Sequence, residues 1–265
     1  MTVAPFRTVA ALALAWAALL FSPAAAQQPQ PAAPQLPRID RYYEKPFDVV
    51  TFLRAWEKAG RLGADAVLGF LAGVFTKHPK EVARMADVGL ERAGQIIIVQ
   101  ALRFAQKTPE ARTFTEKWGW SKEEIANITP VAPLAQTRPE QPNHFDTLWG
   151  AAFATGDAAY VRPIYDYYAG VTREPDIEID DLVAIVVAQS KSNREAMDRI
   201  AAKYPRERLR WLVYGASAMW SLDSNAQQHK FVAAALEQYK KEAPDSAATK
   251  GLIALHAALA QAGAR

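Results

Sequence analysis

The chain has 265 residues, half of them hydrophobic, a formal net charge of +3 and no cysteine. The missing cysteine excludes disulfides, thiol catalysis and a membrane tether built on a lipidated cysteine. The nearly balanced charge gives no electrostatic case for nucleic acid, because gripping a phosphate backbone needs a basic face.

The first residues fall into three regions: a short stretch ending in Arg7, an apolar run from Thr8 to Phe21, and the small-residue stretch Ser22-Pro23-Ala24-Ala25-Ala26. This is the order of a secretory signal peptide, residues 1–26, with small side chains at Ala24 and Ala26 placing the cut after Ala26. The rival is an uncleaved anchor, but a helix crossing the hydrocarbon core needs about 20 apolar residues and this run is shorter. Removing the segment removes Arg7, its single charge, and leaves +2. The expected location is the periplasm or the secreted fraction, with no integral membrane span after cleavage.

From residue 27 the chain is rich in Pro, Gln and Ala, a composition that buries no core and favours extended conformations. Residues 27–44 are expected to be a disordered spacer. An N-terminal helical subdomain, 45–128, is expected next, then a proline-rich linker, 129–142, carrying Pro130, Pro133, Pro139 and Pro142. Proline lacks the amide donor that a continuing helix needs. A C-terminal helical subdomain, 143–265, completes the chain, and the two subdomains are expected to share one stack because each is small for a domain.

Apolar residues recur at helical spacing throughout: Val49, Phe52, Leu53 and Trp56; Val67, Phe70, Leu71, Val74 and Phe75; Val161, Ile164, Tyr165 and Tyr168; Val232, Ala235, Leu236 and Tyr239; Leu252, Leu255, His256 and Leu259. Sustained two-residue alternation is missing, so the fold class is all-α. Ser121-x-x-Glu124, Ser192-x-x-Glu195 and Ser224-x-x-Gln227 read as capping boxes that start helices, and Gly156-Asp157 reads as a helix end followed at once by an N-cap.

The turns repeat with similar surroundings. Phe70-Leu-Ala-Gly-Val-Phe75 runs into His78-Pro79, and Leu148-Trp-Gly-Ala-Ala-Phe153 runs into Gly156-Asp157; looser echoes follow Phe104, with a break at Thr108-Pro109, and Trp220, with a break at Asp223-Ser224. In this use of an aromatic closing one helix and a proline or glycine turn before the next, the chain resembles the irregular α-solenoids related to tetratricopeptide repeats, although no segment carries their full consensus at a fixed period. The resemblance implies an irregular array of helical hairpins that holds a partner; a non-repetitive helical bundle is the alternative.

Motifs for chemistry are sparse. His78, His144, His229 and His256 form no H-E-x-x-H pair for zinc, so no metal site is expected. His256, on an apolar stripe, is expected to be a core histidine, and His78 a solvated turn residue. The acidic run Glu174, Asp176, Glu178, Asp180 and Asp181 fails as an EF-hand, with Asp181 where the loop needs glycine and Val187 where it needs glutamate. Acids there suit the positive end of a helix dipole. No serine sits in a G-x-S-x-G elbow or an S-x-x-K motif, so no catalytic residue and no cofactor are assigned. Gly69-x-x-x-Gly73 and Gly60-x-x-Gly63 lack the lysine and preceding strand of a phosphate loop, which leaves close helix packing.

The candidate ligand residues are Asp146 and Trp149 on one predicted helix, Trp211 and Trp220 on another, and Asn225 and His229 on the helix expected after that. Aromatic rings beside polar groups suit a groove for a peptide or glycan, though the same rings also fill helix seams. Basic residues exceed acids between Lys191 and Arg210, which suits neutralisation of the preceding acidic run or an acidic partner. Two functions follow as expectations: an exported non-catalytic interaction protein for an envelope protein or peptide, or a small-molecule or glycan binder or hydrolase using the Trp/Asp/His set.

Overall fold

The stripes become helices. A computed structural model describes residues 36–263; the expected signal peptide and most of the expected spacer lie outside the described residues. Among the described residues there are thirteen α-helices and no strand, consistent with an irregular helical array or bundle. The helices are α1 Val49–Lys58, α2 Ala64–Lys77, α3 Lys80–Met85, α4 Arg92–Phe104, α5 Thr108–Lys117, α6 Lys122–Ala126, α7 Pro142–Thr155, α8 Arg162–Val171, α9 Ile179–Ser190, α10 Arg194–Lys203, α11 Arg206–Gln228, α12 Lys230–Glu242 and α13 Ala247–Ala262.

The aligned apolar residues of α1 and α2 are all buried, as are Val161, Ile164, Tyr165 and Tyr168 at α8 and Val232, Ala235, Leu236 and Tyr239 of α12. One apolar cluster runs through residues on both sides of the proline-rich segment. That segment is itself pinned down by buried Leu134, and it ends where Pro142 takes the first position of α7, a place where its missing amide costs nothing.

The tightest crossing is between α2 and α7. A Cβ built on Gly69 would lie 1.6 Å from the Thr147 carbonyl oxygen, and one on Gly150 would lie 2.0 Å from that of Ala66. Gly73 meets Ala151 and Ala154, and the Lys77 ammonium donates to the Thr155 carbonyl oxygen at 2.5 Å. Contacts that advance together along both helices mean that the two run parallel. Gly69-x-x-x-Gly73 is therefore a packing motif that lets one backbone touch another. The helices are also the two segments whose sequences echo each other. Phe70 aligns with Leu148, and the residues that meet, Gly69 with Thr147 and Gly73 with Ala151, stand in that same alignment.

Three expectations are corrected here. The disordered spacer of residues 27–44 is ordered over its described part: Ile39–Arg41 forms a 3-10 turn, Tyr42 is buried edge-on to Phe47 and Phe70, and the Tyr43 amide donates to the Phe153 carbonyl oxygen. Two tyrosines supply the apolar area that the preceding proline-rich stretch lacks. Of the capping boxes, Ser121/Glu124 forms with both reciprocal bonds. At the second, Ser192 takes a left-handed conformation (φ 52°) that closes α9, and Asn193 caps α10 instead by accepting from the Ala196 amide. Ser224 and Gln227 lie inside α11, which continues to Gln228, so the break expected at Asp223-Ser224 falls at His229. Leu212, Met219 and Leu222 keep one buried face through that stretch, and burial holds the helix where local pattern offered a stop.

Gly156 does end α7 in the left-handed conformation (φ 68°), and the Asp157 carboxylate caps the next turn through the Ala159 amide. At the start of α9 the acids do more than match a dipole. Asp181 is buried and takes bonds from the Lys203 ammonium and the Tyr204 hydroxyl at 2.8 and 2.7 Å. Burial works to raise its pKa, but those two partners outweigh it and hold the carboxyl below its ordinary value.

Candidate ligand-binding cleft

A cleft of about 740 Å³ opens where the 135–139 loop passes α8 and the start of α11. The proline-rich composition keeps this segment out of an α-helix and leaves a 3-10 turn at Leu134–Gln136, and buried Leu134 and Pro139 lay it along α8 with Arg138 outward. On α8, Tyr167 faces Trp211 of α11 with the rings stacked 6.1 Å apart and 2° from parallel, while Phe145 of α7 meets the edge of Tyr167 at 5.2 Å. Burial pushes the Tyr167 hydroxyl up to about 12, with Tyr214 acting in the same direction and Arg210 and Arg138 against it.

The charges around the cleft are unequally matched. Its acids are satisfied: Asp166 takes a 2.7 Å bond from Arg162, and Glu174 a 2.7 Å bond from Arg208. Arg162 also reaches Glu242, and Arg208 also pairs with Asp176. Two lining guanidinium groups, Arg138 and Arg173, make no ion pair among the described residues, and neither does Arg210 beside Tyr167. A rigid aromatic pair thus sits among unpaired guanidinium groups, each able to hold a carboxylate through two parallel N–H donors.

Of the candidate ligand residues named from sequence, Trp211 alone lines this cleft. Trp149 is buried at 5% exposure, stacks on Phe153 at 5.7 Å, and leaves its Nε1 with no hydrogen-bond partner among the described residues. The ring of Phe153 packs in turn on His229, which is 1% exposed and hydrogen-bonds the Tyr43 hydroxyl through Nδ1 at 3.1 Å. Burial lowers the His229 pKa first, and nearby Arg41 adds to that. Asn225 donates back to the Ser221 carbonyl oxygen within the helix that also carries Trp211 and Trp220, so it does not stand on a following helix, and His229 is the residue between α11 and α12. Asp146, half-buried on α7, has its carboxyl pushed up to about 6 by burial and by the neighbouring Asp65.

No protein-family model, curated protein or solved structure matches this chain.

The sequence reading missed Tyr167, Arg138 and Arg173. Tyr167 lies beside the stripe made by Ile164, Tyr165 and Tyr168, and Arg138 sits in a segment whose prolines drew attention to its backbone alone. The available signal was Arg138 standing within a proline-bounded loop, since a loop side chain on a rigid helical scaffold is placed to meet solvent and ligands. His256, expected in the core, is instead 57% exposed and bonds Asp223. The buried stripe of α13 runs through Ala248, Leu252, Leu255 and Leu259, and His256 falls at its edge. Among the described residues no cluster of three or more potential metal ligands occurs, and no helix is long and apolar enough to cross a membrane.

Proposed function

We propose that this chain is an exported, non-catalytic binding protein that holds an acidic segment of a partner protein or peptide in the cleft between the 135–139 loop, α8 and α11. The observation that carries the reading is the pair of unmatched guanidinium groups, Arg138 and Arg173, beside the Tyr167–Trp211 stack. Carboxylates of the partner dock on the arginines, and an apolar or aromatic residue between them covers the exposed part of the Trp211 ring. The matched acids Asp166 and Glu174 disfavour a uniformly dense polyanion and suit a chain that alternates charge with apolar side chains. Export rests on the signal-peptide pattern of residues 1–26.

Titration of fluorescent peptides rich in Glu and Tyr tests this. The native protein binds them, salt weakens binding, and Arg138→Glu with Arg173→Glu weakens it at least about tenfold while the helical circular-dichroism spectrum stays the same. Equal binding by the double variant sinks the reading. A glycan reading is favoured by one observation, the flat Tyr167–Trp211 stack, on which a sugar ring also rests. Binding of uronic-acid oligosaccharides in place of peptides, lost in Trp211→Ala, is the result that selects it.

A further inference from the structure

A second groove, about 330 Å³, lies on the other side of α11, between α12 and α13. At its base Asp223 is a nearly buried carboxylate, 8% exposed, with no lysine or arginine partner among the described residues. Its Oδ1 lies 3.2 Å from His256 Nδ1, and its Oδ2 accepts from the Gln227 amide at 2.7 Å. A carboxylate accepts, so in the neutral imidazole Nδ1 donates and Nε2 keeps its lone pair on an exposed ring. The Gln227 amide uses its nitrogen toward Asp223 and keeps its oxygen as an acceptor. Glu237 bonds Lys240 through Oε1 and keeps Oε2 as another. The groove lining therefore holds two carboxylates, Asp223 and Glu237, against one ammonium, Lys240, and Leu236 and Ile253 form aliphatic walls, with Ile253 57% exposed.

We propose that this groove binds an aliphatic primary ammonium group, with the alkyl chain along Leu236 and Ile253 and the head shared by His256 Nε2, the Gln227 amide oxygen and Glu237. An ammonium supplies three donors to three free acceptors and one positive charge to a lining with one negative charge in excess. A metal ion is a poorer match, since Asp223, Glu237 and His256 do not form a group of three that could hold one among the described residues. A carboxylate ligand meets two acids and the lone pair of His256. The position of Asp223 has a purpose in this arrangement: it fixes the ring so that the acceptor, and not the donor, faces the groove. The site is separate from the arginine-lined cleft and stands or falls independently of it.

The same head group occurs in a free alkyl diamine and in a lysine side chain, so the test uses both. Cadaverine and N-acetyl-lysine methylamide are titrated into the full chain labelled with ¹⁵N at histidine, with calorimetry in parallel. The expected result is saturable binding of at least one, a shift of the His256 Nε2 resonance, and weakening of about tenfold or more in His256→Phe and in Glu237→Gln. The Arg138→Glu/Arg173→Glu variant retains the binding. Preference for cadaverine assigns a free amine, and preference for the lysine derivative assigns a peptide side chain. Failure of both ligands to titrate, affinity unchanged in both variants, or hexanoate binding as well as the amines overturns the proposal.

Discussion

The α2–α7 pair and the α8–α11 pair solve the same packing problem with opposite materials. Between α2 and α7 the facing residues are Gly69, Gly73, Thr147, Gly150, Ala151 and Ala154, so backbone meets backbone at Gly69 and Gly150, and Gly73 meets the Ala151 backbone and the Ala154 methyl group. Between α8 and α11 a glycine also approaches, Gly215 of α11, but what it meets is the Val171 side chain, and the pair is filled out by Tyr167 and Trp211. Small residues bring helices together along their length and close the seam to ligands. Large flat residues fill the seam and leave a rim where the helices diverge, and the 135–139 loop turns that rim into a cleft. Rigidity and access are thus assigned to different helix pairs of one core.

Inserting bulk into the first seam is the strongest way to break the contrast. Gly69→Val places a branched side chain against the Thr147 carbonyl oxygen, which belongs to a helix backbone and has no rotamer to escape through. The helices must separate, and the expected loss is about 3 kcal/mol or more in urea unfolding. The same seam sharpens the comparison through pH. Asp146 lies on α7, and its carboxyl is pushed up to about 6 by burial and by Asp65. A carboxyl with a raised folded-state pKa is held in its neutral form, so the folded protein binds the extra proton and its stability falls as pH rises from about 4 to about 6. Asp146→Asn removes the charge while keeping the shape. Stability curves at pH 4 and pH 7.5 are expected to show little change at the lower pH and a gain of roughly 1–2 kcal/mol at the higher one, and a flat difference across that range refutes the account.

Much of the first seam was legible in the sequence. The echo between Phe70–Phe75 and Leu148–Phe153 marks the two helices that pack, because a helix needing close approach must repeat small residues on one face, and that repeat survives in the letters. The helical stripes were readable for the same reason: burial imposes a period. The cleft was not, because an arginine without a partner is a fact about every other residue being elsewhere, and no window of sequence contains it. Among the candidate ligand residues, Trp211 reached the cleft, while Trp149 and His229 went into an aromatic stack with Phe153. An aromatic ring has the same period in a seam as in a groove. The caps at Ser192 and Ser224 failed from the opposite cause: the motifs are local, and neighbouring Asn193 or the buried face of α11 competed better.

The smallest expected effect separates the two properties of glycine that the first seam combines. Gly170, near the end of α8, borders the cleft, and a Cβ added there meets nothing within 4 Å. Its φ is not in the left-handed region, so an alanine adopts the same backbone without strain. Gly170→Ala therefore changes only the flexibility of the unfolded chain and the helix propensity of the site. The expected outcome is a gain of about 0.5–1 kcal/mol in urea unfolding. Gly69→Ala alters flexibility in the same direction, yet it is expected to destabilise because its Cβ has a carbonyl oxygen in its place. If both alanines stabilise, the α2–α7 backbones do not touch as described; if both destabilise, Gly170 is held by something other than open space. Opposite signs at the two glycines make close approach, and not glycine itself, the feature that distinguishes the closed seam from the open one.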